Sequence, residues 1–162
     1  MRVYHGGLDR IERPRIIQST RTLDYGQGFY TTSSFGQAEQ WVRRKIIEKE
    51  STGYVNIYEI NETLLQTDYL NVLRFKTPTS EWVDFVMVNR LNRQFVHLYD
   101  VVWGPVANDR VYAAFSLFES GILDKNELIR ELKTYLLFDQ MLFHTEKALS
   151  ALNFIGAKEI RL

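Results

Sequence analysis

The sequence predicts an α+β fold, built on split, mostly antiparallel β-sheets flanked by helices. Two observations lead there. Strand-type and helix-type stretches mix without a regular strand–helix–strand repeat. The nearest glycine-rich match to a phosphate loop, "GQGFYT" at Gly26–Thr31, leads into a strand instead of joining a strand to a helix, which argues against a doubly wound nucleotide-binding sheet.

The elements follow in order. "RVYHG" reads as a first short strand, and residues 8–24 as a polar, charged connector with Pro14 as its punctuation. "GFYTT" is a second strand rich in β-favouring types. Ser34 with Gln37 three residues on forms a capping-box pattern, and Ala38, Trp41, Val42 and Ile46 recur at helical spacing, which predicts a helix over 34–49. "YVNIYEI" carries apolar groups on both faces, so it belongs inside a sheet. "YLNVLRF" fits strand or loop. Thr79 or Ser80 caps a helix through "EWVDFVMVNRL", "HLYDVVWG" returns to strand, and Asn108 or Asp109 caps "RVYAAFSLFESG", which Gly121 ends. Asp124 caps "KNELIRELKTYL"; "DQMLFHT" is a strand, "EKALSAL" one or two helical turns, and "FIGAKEIRL" a closing strand.

At 162 residues with 45% in the hydrophobic set, the chain has the size and make-up of one domain over 1–162. Lys plus Arg equal Asp plus Glu at 20 each, so no global positive field draws it to nucleic acid or anionic lipid. Cysteine is absent, which removes disulfides, thiol nucleophiles and thiolate zinc sites and fits a reducing cytoplasm. His5, His97 and His144 are scattered, so no metal is expected. No apolar run approaches membrane-spanning length and none follows the N-terminus as a signal peptide would, so a soluble, cytoplasmic protein is expected.

Candidate functional residues cluster early. In "YHGG", His5 and Tyr4 point to opposite faces of a strand, and the glycines after His5 would let a ligand approach the backbone. In "DYGQGFYTT", Gly26 and Gly28 bend the chain and Tyr30 projects from the strand that follows. A strand tyrosine is also an ordinary packing residue. Trp41 lies on the helix stripe with Ala38 and Val42, so it could either anchor the helix or stack on a ligand.

Taken together, "HG", then "GxGxY", then an aromatic on the next helix resembles the NAD-binding half of ADP-ribosyltransferases of the diphtheria-toxin and poly-ADP-ribose-polymerase type. The resemblance implies that His5 bonds a ribose hydroxyl of NAD, that the backbone of Gly6 holds the nicotinamide carboxamide, and that Tyr30 and Trp41 sandwich the ring. Across most of its length, through "YHG", "DYGxGFY", "QAxxW", "DVVxGPVANDRVY" and "DQxxFxTxxAL", the chain also looks like an uncharacterised bacterial family assigned to that superfamily. Its members often sit beside a small partner gene, which implies a toxin with an antitoxin protein.

The better-known enzymes place a catalytic glutamate late in the chain, and by order that position is Gln140. A neutral amide orients a ribose but offers no fixed charge to the cation that forms as nicotinamide leaves, and it cannot act as a base. Long-chain polymer formation is therefore not expected. The implied activity is mono-ADP-ribosyl transfer from NAD to a protein or nucleic-acid acceptor, with His5, Tyr30 and Gln140 as the catalytic set. Water as acceptor would make the protein an NAD glycohydrolase, and the amide also fits a non-catalytic NAD-binding module. Asp139 points away from Gln140 on a regular strand. Asp109 is either a helix cap or an auxiliary residue that positions an acceptor or partly restores the missing negative charge. His144 shares the parity of Gln140 and could line the same cleft or simply pack; Arg43 and Arg44 could meet the pyrophosphate or remain solvated. "EWVDFVMVNRL", apolar on more than one face, could instead dock a partner protein.

Overall fold

The computed structural model describes residues 1–49, 52–106, 109–135 and 137–161, with the side chains of Glu48, Lys49 and Asp109 outside the description. Two sheets carry the fold. In the first, β1 (Arg2–Gly7), β3 (Thr52–Glu59) and β7 (Asn153–Arg161) run in the order β1-β3-β7, all antiparallel, with β3 central as its two apolar faces require. In the second, β2 (Phe29–Thr31), β4 (Val72–Arg74), β5 (Val101–Pro105) and β6 (Asp139–Phe143) run in the order β2-β6-β5-β4, antiparallel except for the β4–β5 pair. The fold is therefore α+β with two mostly antiparallel sheets.

The sheets meet at one bridge, where Tyr4 and Thr32 exchange backbone hydrogen bonds of 2.8 and 2.9 Å. Beyond it they splay apart. Helix α1 (Phe35–Lys49) begins where Ser34 Oγ accepts from the Gln37 amide at 3.2 Å. Only half of the capping box forms, because the Gln37 side chain accepts from Thr32 Oγ1 instead of reaching back to Ser34. Ala38, Val42 and Ile46 lay α1 onto the first sheet against Val55 and Ile160.

Helices α2 (Ser80–Leu91), α3 (Asp109–Glu119) and α4 (Lys125–Lys133) cover one face of the second sheet around Trp82, Val102, Phe115, Leu128 and Leu142. Thr79 caps α2, and Asp124 with Glu127 forms a full capping box on α4. The helix α5 (Glu146–Ser150) packs into the cluster on the other side, which joins the two sheets through Val3, Phe29, Tyr58, Met141 and Phe143. The several apolar faces of α2 are spent internally, with Trp82, Val83 and Val86 buried and Phe85 and Met87 packed against the same cluster. Residues 95–100, which read as strand from sequence, are irregular, and β5 begins only at Val101. His97 is drawn out of any ladder because its ring bonds the Tyr25 carbonyl. The predicted cap at Asn108 lies outside the described residues, and Asp109 itself opens α3.

The connector between β1 and β2 is pinned from below. Asn56, fully buried in β3, accepts from the Ile11 amide at 2.7 Å and donates to the Asp9 carbonyl at 3.0 Å, while Tyr58 donates to the Ile11 carbonyl. Its far end is anchored by Tyr25, whose buried hydroxyl donates to the Pro105 carbonyl and accepts from Trp82 Nε1, both at 2.7 Å. Gly28 follows at φ 147°, and a Cβ there would meet the Phe143 carbonyl oxygen at 2.4 Å, so only glycine lets the segment settle against β6. Tyr25→Phe should keep the ring but orphan the Trp82 N–H and the Pro105 carbonyl. The expected cost is about 1–3 kcal/mol for each orphaned group, read as a lower denaturant midpoint at unchanged slope.

Candidate active site

A cleft of about 840 Å³ opens where the sheets diverge. Its walls bring together His5 and Gly6 from β1, Tyr30 from β2, Trp41 from α1 and Gln140 from β6, residues up to 135 positions apart in sequence. The same cleft takes in Asp24 and, from the helices, Lys45, Arg90 and Tyr112. Its size lies within the range of about 300–1,000 Å³ typical of small-molecule sites.

His5 Nδ1 lies 2.7 Å from the Tyr30 carbonyl oxygen, and the imidazole stacks on Phe29 with centroids 4.4 Å apart. A carbonyl only accepts, so Nδ1 carries the proton and Nε2 keeps its lone pair for a donor such as a sugar hydroxyl. Burial lowers the His5 pKa; the Tyr30 carbonyl opposes that shift and the positive charge of Lys45 adds to it. Neutral imidazole is the favoured form.

Gly6 lines the cleft, but its small size serves a neighbour. A Cβ there would stand 2.4 Å from the Ala38 carbonyl oxygen of α1, so the glycine admits the helix as well as leaving the strand's backbone open. Tyr30 is fixed by its hydroxyl, which donates to the Gly26 carbonyl at 2.7 Å and accepts from the Tyr25 amide at 3.2 Å. Burial leaves this phenol far above its ordinary pKa, against the opposing effect of the Tyr25 amide bond, so it is a neutral ring, not a base. Trp41 is not the helix anchor that its place on the stripe allowed: 51% of it is exposed, and Lys45 Nζ stands 5.3 Å from the ring centroid. No ring contact joins Trp41 to Tyr30. Two flat faces thus border one opening without filling it.

The floor of the cleft is charged. Asp24 is 8% exposed, its Oδ1 lies 3.5 Å from Arg90 Nη1, and its Oδ2 accepts from the Tyr112 hydroxyl at 3.4 Å. Burial raises its pKa, with Arg90, Tyr112 and Gln140 acting in the opposite sense. Gln140 is 9% exposed, and its Nε2 has no hydrogen-bond partner; the amide is near enough to Asp24 to favour the charged carboxyl but makes no hydrogen bond of ordinary geometry to it. A buried donor left unsatisfied is costly and is the kind of group a ligand completes. Asp24 was not singled out from sequence, because the only signal was its place at the start of "DYGxGFY".

Other expected residues fall elsewhere. His144 does not line the cleft: β6 has ended at Phe143, and the ring's Nδ1 bonds the Gln27 carbonyl at 2.5 Å while the ring lies tilted against His97 with centroids 4.2 Å apart. Asp139 faces the opposite side of β6, where it accepts from Ser33 and Trp103 Nε1 beside a second cavity of about 610 Å³. Arg43 pairs with Glu39 in solvent, whereas Arg44 lines the cleft. The Asp109 side chain lies outside the described residues. Among the described residues no group of three His, Asp or Glu could hold a metal ion, and no helix is long and apolar enough to cross a membrane.

Residues 1–154, which carry every described wall of this cleft, match the family described as a protein of unknown function, DUF3990. The chain belongs to that family. No curated protein and no solved structure matches it. In this DUF3990 protein, the imidazoles of His5 and His97 both have lowered pKa values, His97 through burial first and the neighbouring His144 last, against the bond to Tyr25. Below the unfolded imidazole value of about 6.5 the unfolded chain therefore binds more protons than the native one, so stability falls as pH falls. Thermal melts should show a Tm that begins to drop near pH 6.5, and His97→Gln should flatten that slope.

Proposed function

We propose that the protein is a mono-ADP-ribosyltransferase that cleaves the nicotinamide–ribose bond of NAD and passes ADP-ribose to a macromolecular acceptor. The observation that supports this reading best is the convergence of His5, Gly6, Tyr30, Trp41 and Gln140 on one cleft at the split between the sheets. In it the Nε2 lone pair of His5 takes a ribose hydroxyl, the open backbone of Gly6 takes the carboxamide, Tyr30 and Trp41 flank the nicotinamide ring, and the Gln140 amide orients the second ribose. The charge layout agrees with such a ligand: Arg44 and Lys45 line the cleft from α1, where a pyrophosphate finds its counter-charge, and Asp24 adds a carboxyl to the same cleft.

Incubation with labelled NAD and a whole lysate should give nicotinamide release and label on protein or nucleic acid. His5→Ala should reduce both at least about tenfold, since a bond of about 1.4 kcal/mol or more is lost. Free ADP-ribose as the sole product would identify a glycohydrolase instead; neither product nor NAD binding would refute the proposal. Trp41→Ala removes a half-exposed stacking face and should weaken NAD binding by roughly fivefold to tenfold in calorimetry with little change in Tm. The same reading makes the protein toxin-like, acting inside the cell and restrained by an antitoxin protein, as the family resemblance implies. Growth arrest on expression that is relieved by His5→Ala supports that role, and unaffected growth with active enzyme counts against it.

A further inference from the structure

The proposed reaction has a gap at Gln140. Leaving of nicotinamide builds positive charge on the ribose carbon, and in a site screened from water a fixed anion opposite that carbon contributes more than a neutral dipole. Among the described residues of the cleft, the acidic side chains are Asp24 and Glu119. Glu119 is held outward, with its carboxylate 4.0 Å from Arg90 Nε and a side chain 34% exposed. Asp24 is the buried one, and it sits beside the unpartnered Gln140 amide.

The packing only partly accounts for a carboxylate there. The contacts of Asp24 to Arg90 and Tyr112 are long, at 3.5 and 3.4 Å, and burial outweighs them. An asparagine would fill the same space without the burial of charge. Its backbone is nonetheless anchored: the next residue is Tyr25, whose ring and hydroxyl are locked between α2 and the end of β5. A costly, well-fixed anion in a cleft next to an unsatisfied amide donor is the signature of a group kept for a ligand.

Resting on the reading above, we propose that Asp24 is the catalytic carboxylate, contributed by the loop before β2, and that Asp24 and Gln140 together do what a single glutamate does elsewhere: the amide holds the nicotinamide ribose and the carboxylate answers the charge. The bond between the ribose carbon and the pyridinium nitrogen breaks, its electron pair stays on nicotinamide, which leaves neutral, and the ribose carbon takes the positive charge facing Asp24. An acceptor O–H or N–H then adds to that carbon, and its proton passes to the Asp24 carboxylate and from there to water. No oxidant or reductant is involved.

The test compares wild type, Asp24→Asn and the double variant Asp24→Asn/Gln140→Glu for nicotinamide release from NAD, NAD affinity and Tm. Asp24→Asn should lower kcat about a hundredfold or more, leave NAD binding within about threefold and not lower Tm; the double variant, which returns a carboxylate one side chain away, should recover at least tenfold of the loss. The recovery keeps the assignment testable even if Asp24→Asn is less stable. Turnover within threefold of wild type in Asp24→Asn overturns the assignment while leaving the transferase reading intact. So does a fall in turnover matched by an equal loss of NAD affinity with no recovery in the double variant, because that pattern belongs to packing. Wild type that binds NAD without releasing nicotinamide overturns the reading and this assignment together.

Discussion

The cleft depends on one buried phenol. Tyr25 has no exposed surface, and its hydroxyl is shared between Trp82 Nε1 of α2 and the Pro105 carbonyl at the end of β5. Its backbone is held as well, since His97 bonds its carbonyl at 2.8 Å and its amide donates to Tyr30. A short segment followed by Gly26 and Gly28 would otherwise have many conformations. Here the hydroxyl, amide and carbonyl of Tyr25 are all paired, so leaving the pinned state means breaking several buried hydrogen bonds at once. The residues on both sides of Tyr25 inherit that rigidity: Asp24 on the cleft floor and Tyr30 on its wall.

Around that anchor the two sheets act as a frame. They touch through the Tyr4–Thr32 bridge and share a core cluster, and past the bridge their strands diverge, leaving an opening that α1 covers on one side and α2 and α3 on the other. Glycine at position 6 lets α1 lie close enough for Trp41 and Lys45 to reach the rim. The half-exposed indole and the unpaired Gln140 Nε2 both line this opening, where a ligand covers the first and satisfies the second. Their persistence fits a surface shaped for a flat, polar-edged molecule.

The electrostatics follow from burial more than from ion pairing. His5 is kept neutral, and Tyr30 is kept as an un-ionised ring, because both are desolvated. Asp24 carries the opposite tension, a carboxylate in a place that favours its protonated form and is only partly compensated by Arg90. A fold optimised for stability alone would not retain it.

The local chemistry of the chain determined most of the secondary structure. Thr79, Asp124 and Ser34 cap their helices because short polar side chains bond free amides locally, and β3 is central because both of its faces are apolar, as periodicity demands. The same motifs brought His5, Gly6, Tyr30, Trp41 and Gln140 forward as site residues. What they could not supply was orientation between distant segments. Spacing left Trp41 as either a helix anchor or a stacking ring, and the fold leaves it half in solvent; His144 shares the parity of Gln140 but stands past the end of β6, bonded to Gln27. Asp24 was indistinguishable from any charged connector residue until the fold buried it next to Gln140. Burial, charge and pairing at these positions depend on neighbours tens of residues away, so tertiary structure alone decided them.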